Sequence, residues 1–599
     1  MKKNFLSFLC YLLLFSVNAE EDTIEEIISV ASKVPMESKY VLATVDVIDS
    51  SILEKQVQKD LLSIFSNTLA LDTSSNGGPG QVSSIFLRGS NSNQTLVKVN
   101  GVKINPSTAG GASIYNFDSS LISKLEVVYG PFSSIHGSEA IGGVIDISTI
   151  EDPKNNYLVF GLNSGPDNFR KEILKSSWNN KKTFLSLGLL NSNTEGFPVT
   201  TGSNLNRGYK NQSAIGAFSH QKGHFKGTFS SWSSEGVTEY LGFDDIPMSQ
   251  DYKNQAYAFD LSYKPKAAFW VLSNLNTSGD FIAQNQENYL GLLDLTETDR
   301  TNFEITLHKP IQGGNSFTFG YNLENEKVNY SSFGTEFKQS LKTKSIFASS
   351  QLVVNQHLIG INIRSSNHEL HGNKLSWNLG YLKHLNKIWT VVLNSGEAFR
   401  SPNSSELYGY GANLELKPET SNSHELSAIR KINQNDLFSL VFFINKTQNL
   451  INFDFSDYIL KNIKQSNTKG AELKYKWKNK AINGNMLIRI QDPKNQEGKQ
   501  LQRRSRRSIS INLIKEYISS SINLNILAFD RRVDFGEKVL SGYSLINFSV
   551  TKEISNQIDL AIRFENLLDK EYFTAAAASG YYRNQERSIW LNVKYTLGR

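Results

Sequence analysis

The chain has 599 residues, more than one ordinary domain, with 63 Lys and Arg against 57 Asp and Glu for a net charge of +6. With 39% hydrophobic residues and a mean hydropathy of −0.34, it lacks the repeated apolar spans of about 20 residues that a helical membrane protein needs, and so small a net charge gives no electrostatic case for nucleic acid. The single cysteine, Cys10, excludes a disulfide framework and thiolate metal sites.

The N-terminus, MKKNFLSFLCYLLLFSVNA, sets Lys2 and Lys3 before an apolar run from Phe5 to Val17 and ends in Val17-Asn18-Ala19. That is the layout of a secretory signal peptide, so export is expected, with residues 1–19 as the leader. Next comes EEIISVASK, Glu25–Lys33, a short run with β propensity. From Ser51 to Leu71, apolar Ile52, Leu53, Val57, Leu61, Leu62 and Ile64 recur at helical spacing, with Asp49 and Ser50 as caps. A turn Gly77-Gly78-Pro79-Gly80 precedes two strand-like runs, Val82–Leu87 and Leu96–Val99, and then the glycine-rich loop NPSTAGGASIY. This front part reads as a small mixed α/β domain.

From about residue 155 onward, a period of two takes over. Ile522, Leu524, Ile526 and Ala528 alternate with Asn523 and Asn525, and Ile558, Leu560, Ile562 and Phe564 with Asp559, Arg563 and Glu565. Roughly 450 residues of such pattern exceed a single sandwich. Charged residues in mid-strand suit a water-facing lumen, and an apolar face in lipid requires a sheet closed on itself. Abundant aromatics, 35 Phe and 24 Tyr, suit membrane-interface girdles. Lys515–Ile518 reads as a tight turn and Gln491–Gln502 as a long external loop. The charge run Arg503–Arg507 then falls on the barrel rim, either meeting lipopolysaccharide phosphates or simply solvated. The strand Ile589–Leu597, with Tyr595 as its last aromatic, is expected to close the barrel against the first strand.

Several runs carry a family resemblance. NGGPGQVSSIFLRGSNSNQTLVKVNGVKIN and LISKLEVVYGPFSSIHGSEAIGGVIDIST, the latter with Gly130-Pro131, Gly137-Ser138 and Ile141–Ile147, resemble the plug of TonB-dependent outer-membrane receptors. GEAFRSPNSSELYGYGANLELKPETSNSHELS and NLLDKEYFTAAAASGYYRNQERSIWLNVKYTL resemble barrel segments of the same family, and the resemblance is strongest to its cobalamin-transporting members. It implies an all-β transmembrane barrel of about 22 antiparallel strands, large enough to need its lumen plugged. The implied divisions are a leader at 1–19, a TonB-box segment at 20–36, a plug at 37–150 and a barrel at 151–599, in the outer membrane of a Gram-negative bacterium.

The resemblance also implies roles for particular residues. Glu26, Ile27, Ile28, Ser29, Val30 and Ala31 would pair with the TonB energy-coupling protein by strand addition, with Ser29-Val30 where a threonine is usual. Gln81, Ser83, Ser84, Asn105, Ser107, Thr108, Ala109 and Gly110 of the plug, with Tyr408, Tyr410, Tyr581 and Arg583 of the barrel, would approach a large ligand. Two plug positions depart from the family pattern: Asn100-Gly101 replaces an Asp-Gly, and Tyr129 stands in place of an arginine. A calcium loop is not evident, because Thr200–Asn211 contains no acid. Asp244, Asp245 and Asp251 remain as weak candidates, equally readable as a solvated loop. No HExxH, GxSxG or phosphate-binding loop appears, and the expectation is a transporter with no catalytic residues and no cofactor. The expected cargo is cobalamin or a related corrinoid; a ferric siderophore or haem is the alternative on the same scaffold, and a passive porin or adhesin-like barrel the alternative of another class.

Overall fold

The computed structural model of the chain describes residues 27–56, 60–150, 156–242, 245–266, 269–433, 435–479, 482–578 and 580–598. The expected leader, Glu26 and Asp244 lie outside them. From Tyr157 onward, 22 antiparallel strands form one closed barrel. Its last strand, Ser588–Leu597, returns to the first, Tyr157–Ser164, with Tyr595 opposite Phe160. The terminal alternating strand therefore closes the wall.

The alternation has a plain physical sense in this wall. On the strand Thr183–Pro198, Leu185, Leu187 and Leu189 are exposed, whereas Ser186, Leu190 and Ser192 between and beyond them are buried. A row of exposed leucines on a closed sheet faces lipid, and the buried polar row faces the lumen. Asn512 and Asn525 show what the inward row does: both donate to the Asn67 carbonyl of the front domain, at 3.1 and 3.0 Å.

The two ends of the barrel differ. Both ends of its chain, Asn156 and Gly598, meet at one end. The longest connections, 401–418 and 566–587, lie at the other, which is the external side. Strands of 15–20 residues exceed the ~9–11 needed to cross a bilayer. On Thr335–Val354 the exposed apolar residues Ile346, Leu352 and Val354 crowd toward the periplasmic end, so the surplus length rises outside as the wall of a vestibule.

Two sequence expectations for the external side need correction. The strand Asn483–Asn495 runs through the first part of the loop expected at Gln491–Gln502, and the connection covers 496–506. The arginine run does not form a lipid-facing patch. Arg504 is buried, stacks on the Phe86 ring at 4.0 Å and donates to the Ser90 carbonyl at 2.9 Å. Arg503 pairs with Asp534 at 2.8 Å. Only Arg506 and Arg507 are exposed, and Arg507 pairs with Asp530 at 2.9 Å. The turn expected at Lys515–Ile518 lies between Arg507–Glu516 and Ser520–Phe529 at the periplasmic rim.

The front domain fills the lumen. Its sheet runs Val45–Asp49, Lys124–Tyr129, Gly143–Ser148, Thr95–Val99 and Val102–Lys103, with one parallel pair, Thr95–Val99 beside Gly143–Ser148. The single helical stretch expected after Asp49 is two helices, Ser50–Gln56 and Leu61–Leu69. Asp49 caps the first through the Ile52 amide at 3.0 Å, and Asp60 caps the second through the Ser63 amide at 2.7 Å. A second cap in the middle of a continuous apolar pattern divides it. Asn100 and Gly101 both have positive φ, 50° and 81°, as a two-residue hairpin turn requires, so Asn-Gly serves where Asp-Gly is usual.

Candidate functional site

Loops of the plug reach the outer mouth by pressing backbone against the wall. At Gly80, φ is 73° and a Cβ would lie 2.1 Å from Tyr209; at Gly77, φ is 120° and a Cβ would lie 2.5 Å from Val199. Beside them, the Gln81 amide donates to the Glu239 carbonyl at 2.6 Å and Ser83 to the Gln81 carbonyl at 2.8 Å. The second loop is fastened in the same way. The Asn105 side chain bridges the Val97 amide and Thr95 carbonyl, and its own carbonyl accepts from Arg300 at 2.9 Å. Ser107 donates to Glu326, and its carbonyl accepts from the Ser405 amide at 3.1 Å.

The plug candidates thus fall into two groups. Gln81, Ser83, Asn105 and Ser107 are buried and engaged in holding the loops. Ser84, Thr108 and Ala109 are half-buried and Gly110 is exposed.

The barrel candidates stand in two places around the mouth. Tyr581 and Arg583 lie on a hairpin, Phe573–Ala577 with Gly580–Arg583, that binds loop 199–205: the Thr201 amide donates to the Tyr581 carbonyl at 2.9 Å, and Arg583 Nε to the Thr200 carbonyl at 3.2 Å. Tyr408 and Tyr410 belong to an aromatic arc. Tyr408 packs on Phe337 at 5.7 Å; Tyr410 contacts Phe333 at 5.9 Å and stacks on Phe453 at 6.1 Å, and Phe455 continues to Phe535 at 5.8 Å. The arc was not legible in the sequence beyond its two tyrosines, because its rings come from four connections and the strand ends beside them that are distant in sequence. Among the described residues, no group of three or more His, Cys, Asp or Glu converges as a metal site.

Plug and wall are also tied by buried arginines. Arg88 donates to Glu472 at 2.9 and 3.3 Å and to Glu425, while Arg489 reaches the same Glu472 at 2.8 Å. The Arg88 guanidinium lies 4.7 Å from both the Tyr129 and Phe443 rings. Tyr129, the departure from the family pattern, donates its hydroxyl to Asp46 at 2.8 Å, and Asp46 also holds Lys474 at 2.6 Å. Within the wall, Arg400 pairs with Glu419 and Glu406, both at 2.8 Å, and the plug's Gln94 side chain donates to the same Glu419 at 2.9 Å.

At the periplasmic side, the segment Ile27–Glu37 is folded onto the plug. Ile27–Ile28 pairs with Met36–Glu37. Ile28 and Val30 are buried against Val128, Phe132, Ile135 and Val144. Glu126 accepts both the Ser29 and Val30 amides, at 2.9 and 2.7 Å, and His136 Nε2 donates to the Val30 carbonyl at 2.8 Å. Lys124 reaches the Ile27 carbonyl at 2.9 Å, and Lys33 pairs with Glu304 of the wall at 2.6 Å.

Residues 153–567 match the family model "TonB dependent receptor-like, beta-barrel", and residues 38–144 match "TonB-dependent Receptor Plug Domain". The chain belongs to the TonB-dependent receptor family. It is an outer-membrane transport protein of a Gram-negative bacterium. The receptor is 26% identical to the vitamin B12 transporter BtuB of Vibrio vulnificus strain YJ016, over 96% of each chain. It is 24% identical to BtuB of Vibrio cholerae, over 95% of each. Among solved structures, it resembles the ferric enterobactin receptor PfeA of Pseudomonas aeruginosa, with a TM-score of 0.80 and 15% identity over 96% of this chain and 100% of that one. The siderophore receptor PiuA of Acinetobacter baumannii gives 0.77 and 13%, over 94% and 98%. At such identities the structures share the fold alone.

The receptor's docked segment should respond to pH. Burial, reinforced by the positive charges of Lys98, Lys33 and Arg364, holds the His136 imidazole well below the usual histidine range. Burial likewise brings Lys33 down to about 8 despite Glu304. Both groups accept a proton more readily once the segment has left. His136 therefore supports docking fully above its free value near 6.5 and progressively less as pH falls from there toward its depressed docked value. Between pH 8 and 10.5 docking strengthens with pH through Lys33, whereas below 8 that lysine is charged in both states and adds no further slope. Limited proteolysis within 27–37 should be faster at pH 5.5 than at 7.5, and His136→Gln should remove most of the difference.

Proposed function

We propose that this receptor imports cobalamin or a related corrinoid across the outer membrane, driven by TonB pulling on the segment Glu26–Ala31. The observation that carries the ligand class is the plug apex. From Asn105 to Tyr115 it has no charged residue, and Thr108, Ala109 and Gly110 are its least covered part. Neutral hydrogen-bonding groups on glycine-shaped backbone suit a large, amide-rich ligand. The names of the near-full-length relatives point the same way. In the coupling step, TonB pairs with the extended segment by strand addition. Traction then acts on Glu126 and His136, the plug residues that grip its backbone.

A ferric chelate is the second reading. The aromatic arc through Tyr410 and Phe455 on one part of the mouth, with Arg583 on another, would suit an anionic catecholate ligand. Titration of the purified receptor with cyanocobalamin against a panel of ferric chelates tests the choice. Ala109→Trp is expected to weaken corrinoid binding at least tenfold, or about 1.4 kcal/mol, by filling the apex. Binding of a ferric chelate at micromolar concentration, with no corrinoid bound there, overturns the ligand assignment and leaves the transport mechanism standing.

A further inference from the structure

The plug is not packed evenly against its wall. The buried arginine ties lie toward the strands Glu419–Lys431, Ile459–Trp477 and Asn483–Asn495, where Arg88 meets Glu425 and Glu472 and Arg489 donates to the Ala70 carbonyl of the plug. Along the closing seam, a cavity of about 740 Å³ separates the plug from the strands Tyr157–Ser164, Arg170–Asn179 and Ser588–Leu597. Its lining begins at Tyr157 and Gly598 on the periplasmic side, includes the inward-facing Val159 and Gly161, and ends at Phe169 and Trp590 near the outer side. A second cavity of about 170 Å³ begins at the apex loop Gly77–Gln81 and ends at the same two rings. Phe169 and Trp590 meet edge to face, with centroids 5.0 Å apart, and the Trp590 indole is steadied by Ser588 at 3.0 Å. One aromatic contact thus stands between a space open toward the mouth and a space reaching the periplasmic rim.

The lower cavity is bridged lightly. At its periplasmic end, the helix Ser50–Gln56 is held to the wall by Lys55–Glu516 and by Lys594–Glu54 at 3.2 Å. These are solvent-exposed pairs, of the kind that contribute about 0–1 kcal/mol. Higher up, Lys171 pairs with Asp118 at 3.0 Å. Displacing this side of the plug breaks one buried ion pair, Lys171–Asp118, whereas displacing the opposite side breaks the pairs of Arg88 with both Glu425 and Glu472.

We propose that cargo crosses along this seam, between the plug and the strands Tyr157–Ser164, Arg170–Asn179 and Ser588–Leu597, with Phe169 and Trp590 as the closed gate. The plug swings about the Arg88 knot with Glu425 and Glu472 and stays in the barrel. This rests on the transport reading above and adds the route.

Two measurements test it. Phe169→Ala combined with Trp590→Ala joins the two cavities, and in planar bilayers without TonB or ligand it should raise ion conductance at least tenfold over the unmodified receptor. Cys10 is the only cysteine in the chain, so Val159→Cys places a single thiol in the route. Coupling a bulky methanethiosulfonate reagent there should leave surface binding of cyanocobalamin intact and cut TonB-driven uptake at least tenfold, with reduction of the mixed disulfide restoring it. Unchanged uptake in the modified receptor overturns the route, and unchanged conductance in the double variant overturns the gate. If the unmodified receptor neither binds nor imports cyanocobalamin, the ligand reading fails, while the conductance result still decides whether Phe169 and Trp590 close the seam.

Discussion

Replacing Arg88 by alanine is expected to loosen the plug within an intact barrel. The guanidinium sits among Glu472, Glu425 and the rings of Tyr129 and Phe443, and is 2% exposed. Burial opposes its charge, but the two carboxylates outweigh burial and hold its pKa above the ordinary arginine value. Without it, Glu425 loses its cationic partner, and Glu472 keeps only Arg489. Breaking one side of a buried ion pair costs roughly 3–5 kcal/mol, because the remaining charge stays desolvated. Amide exchange over Ser83–Val99 should accelerate by roughly two to nearly four orders of magnitude, as that range implies, while the barrel keeps its heat-modifiable mobility. Exchange at the unmodified rate would mean that the apparent knot holds nothing.

The second large effect is expected from Ile28→Pro. Proline removes a backbone donor and restricts the residue before it, so strand addition by TonB fails at the centre of the segment. The docked arrangement makes the change doubly disruptive, since Ile28 pairs with Met36 and is 4% exposed inside an apolar cluster. Uptake should fall to background with ligand binding at the cell surface unchanged. Ile28→Ala separates the two contributions: it weakens docking by removing apolar burial yet keeps the donor, so uptake should persist. Normal uptake by the proline variant would refute the assignment of this segment as the TonB-pairing strand.

The barrel was legible because lipid and lumen impose opposite demands on alternate residues. Leu185, Leu187 and Leu189 report one solvent; Asn512 and Asn525 report the other. The plug's outline was legible from glycines that require positive φ, such as Gly77 and Gly80. The two helices after Asp49 were read as one because apolar spacing continues across the break, and only the Asp60 cap marks it. The arginine run was misplaced for a different reason. A charge run does not state which way the chain turns, and the groups that draw Arg503 and Arg504 inward, Asp534, Phe86 and Ser90, are distant in sequence. The grip on the coupling segment was invisible for the same reason. Glu126 and His136 are ordinary residues until the fold brings Ser29 and Val30 to them.

The closing seam also dictates an order of events. Asn592 bonds to Asn163 at 2.6 Å, a pair 429 positions apart, so the wall is complete only when nearly the whole chain is present. The plug precedes the barrel in the chain, yet its helix Leu61–Leu69 rests against the late strands Arg507–Glu516 and Ser520–Phe529 through Asn67. Contacts of such sequence separation form slowly, because the loop between them must first be drawn in. The early-made domain therefore waits, unsupported on that side, until the late strands arrive, and the wall is drawn around a guest that is part of the same chain. A variant that slows the docking of Asn67 should delay closure and leave the finished barrel unchanged.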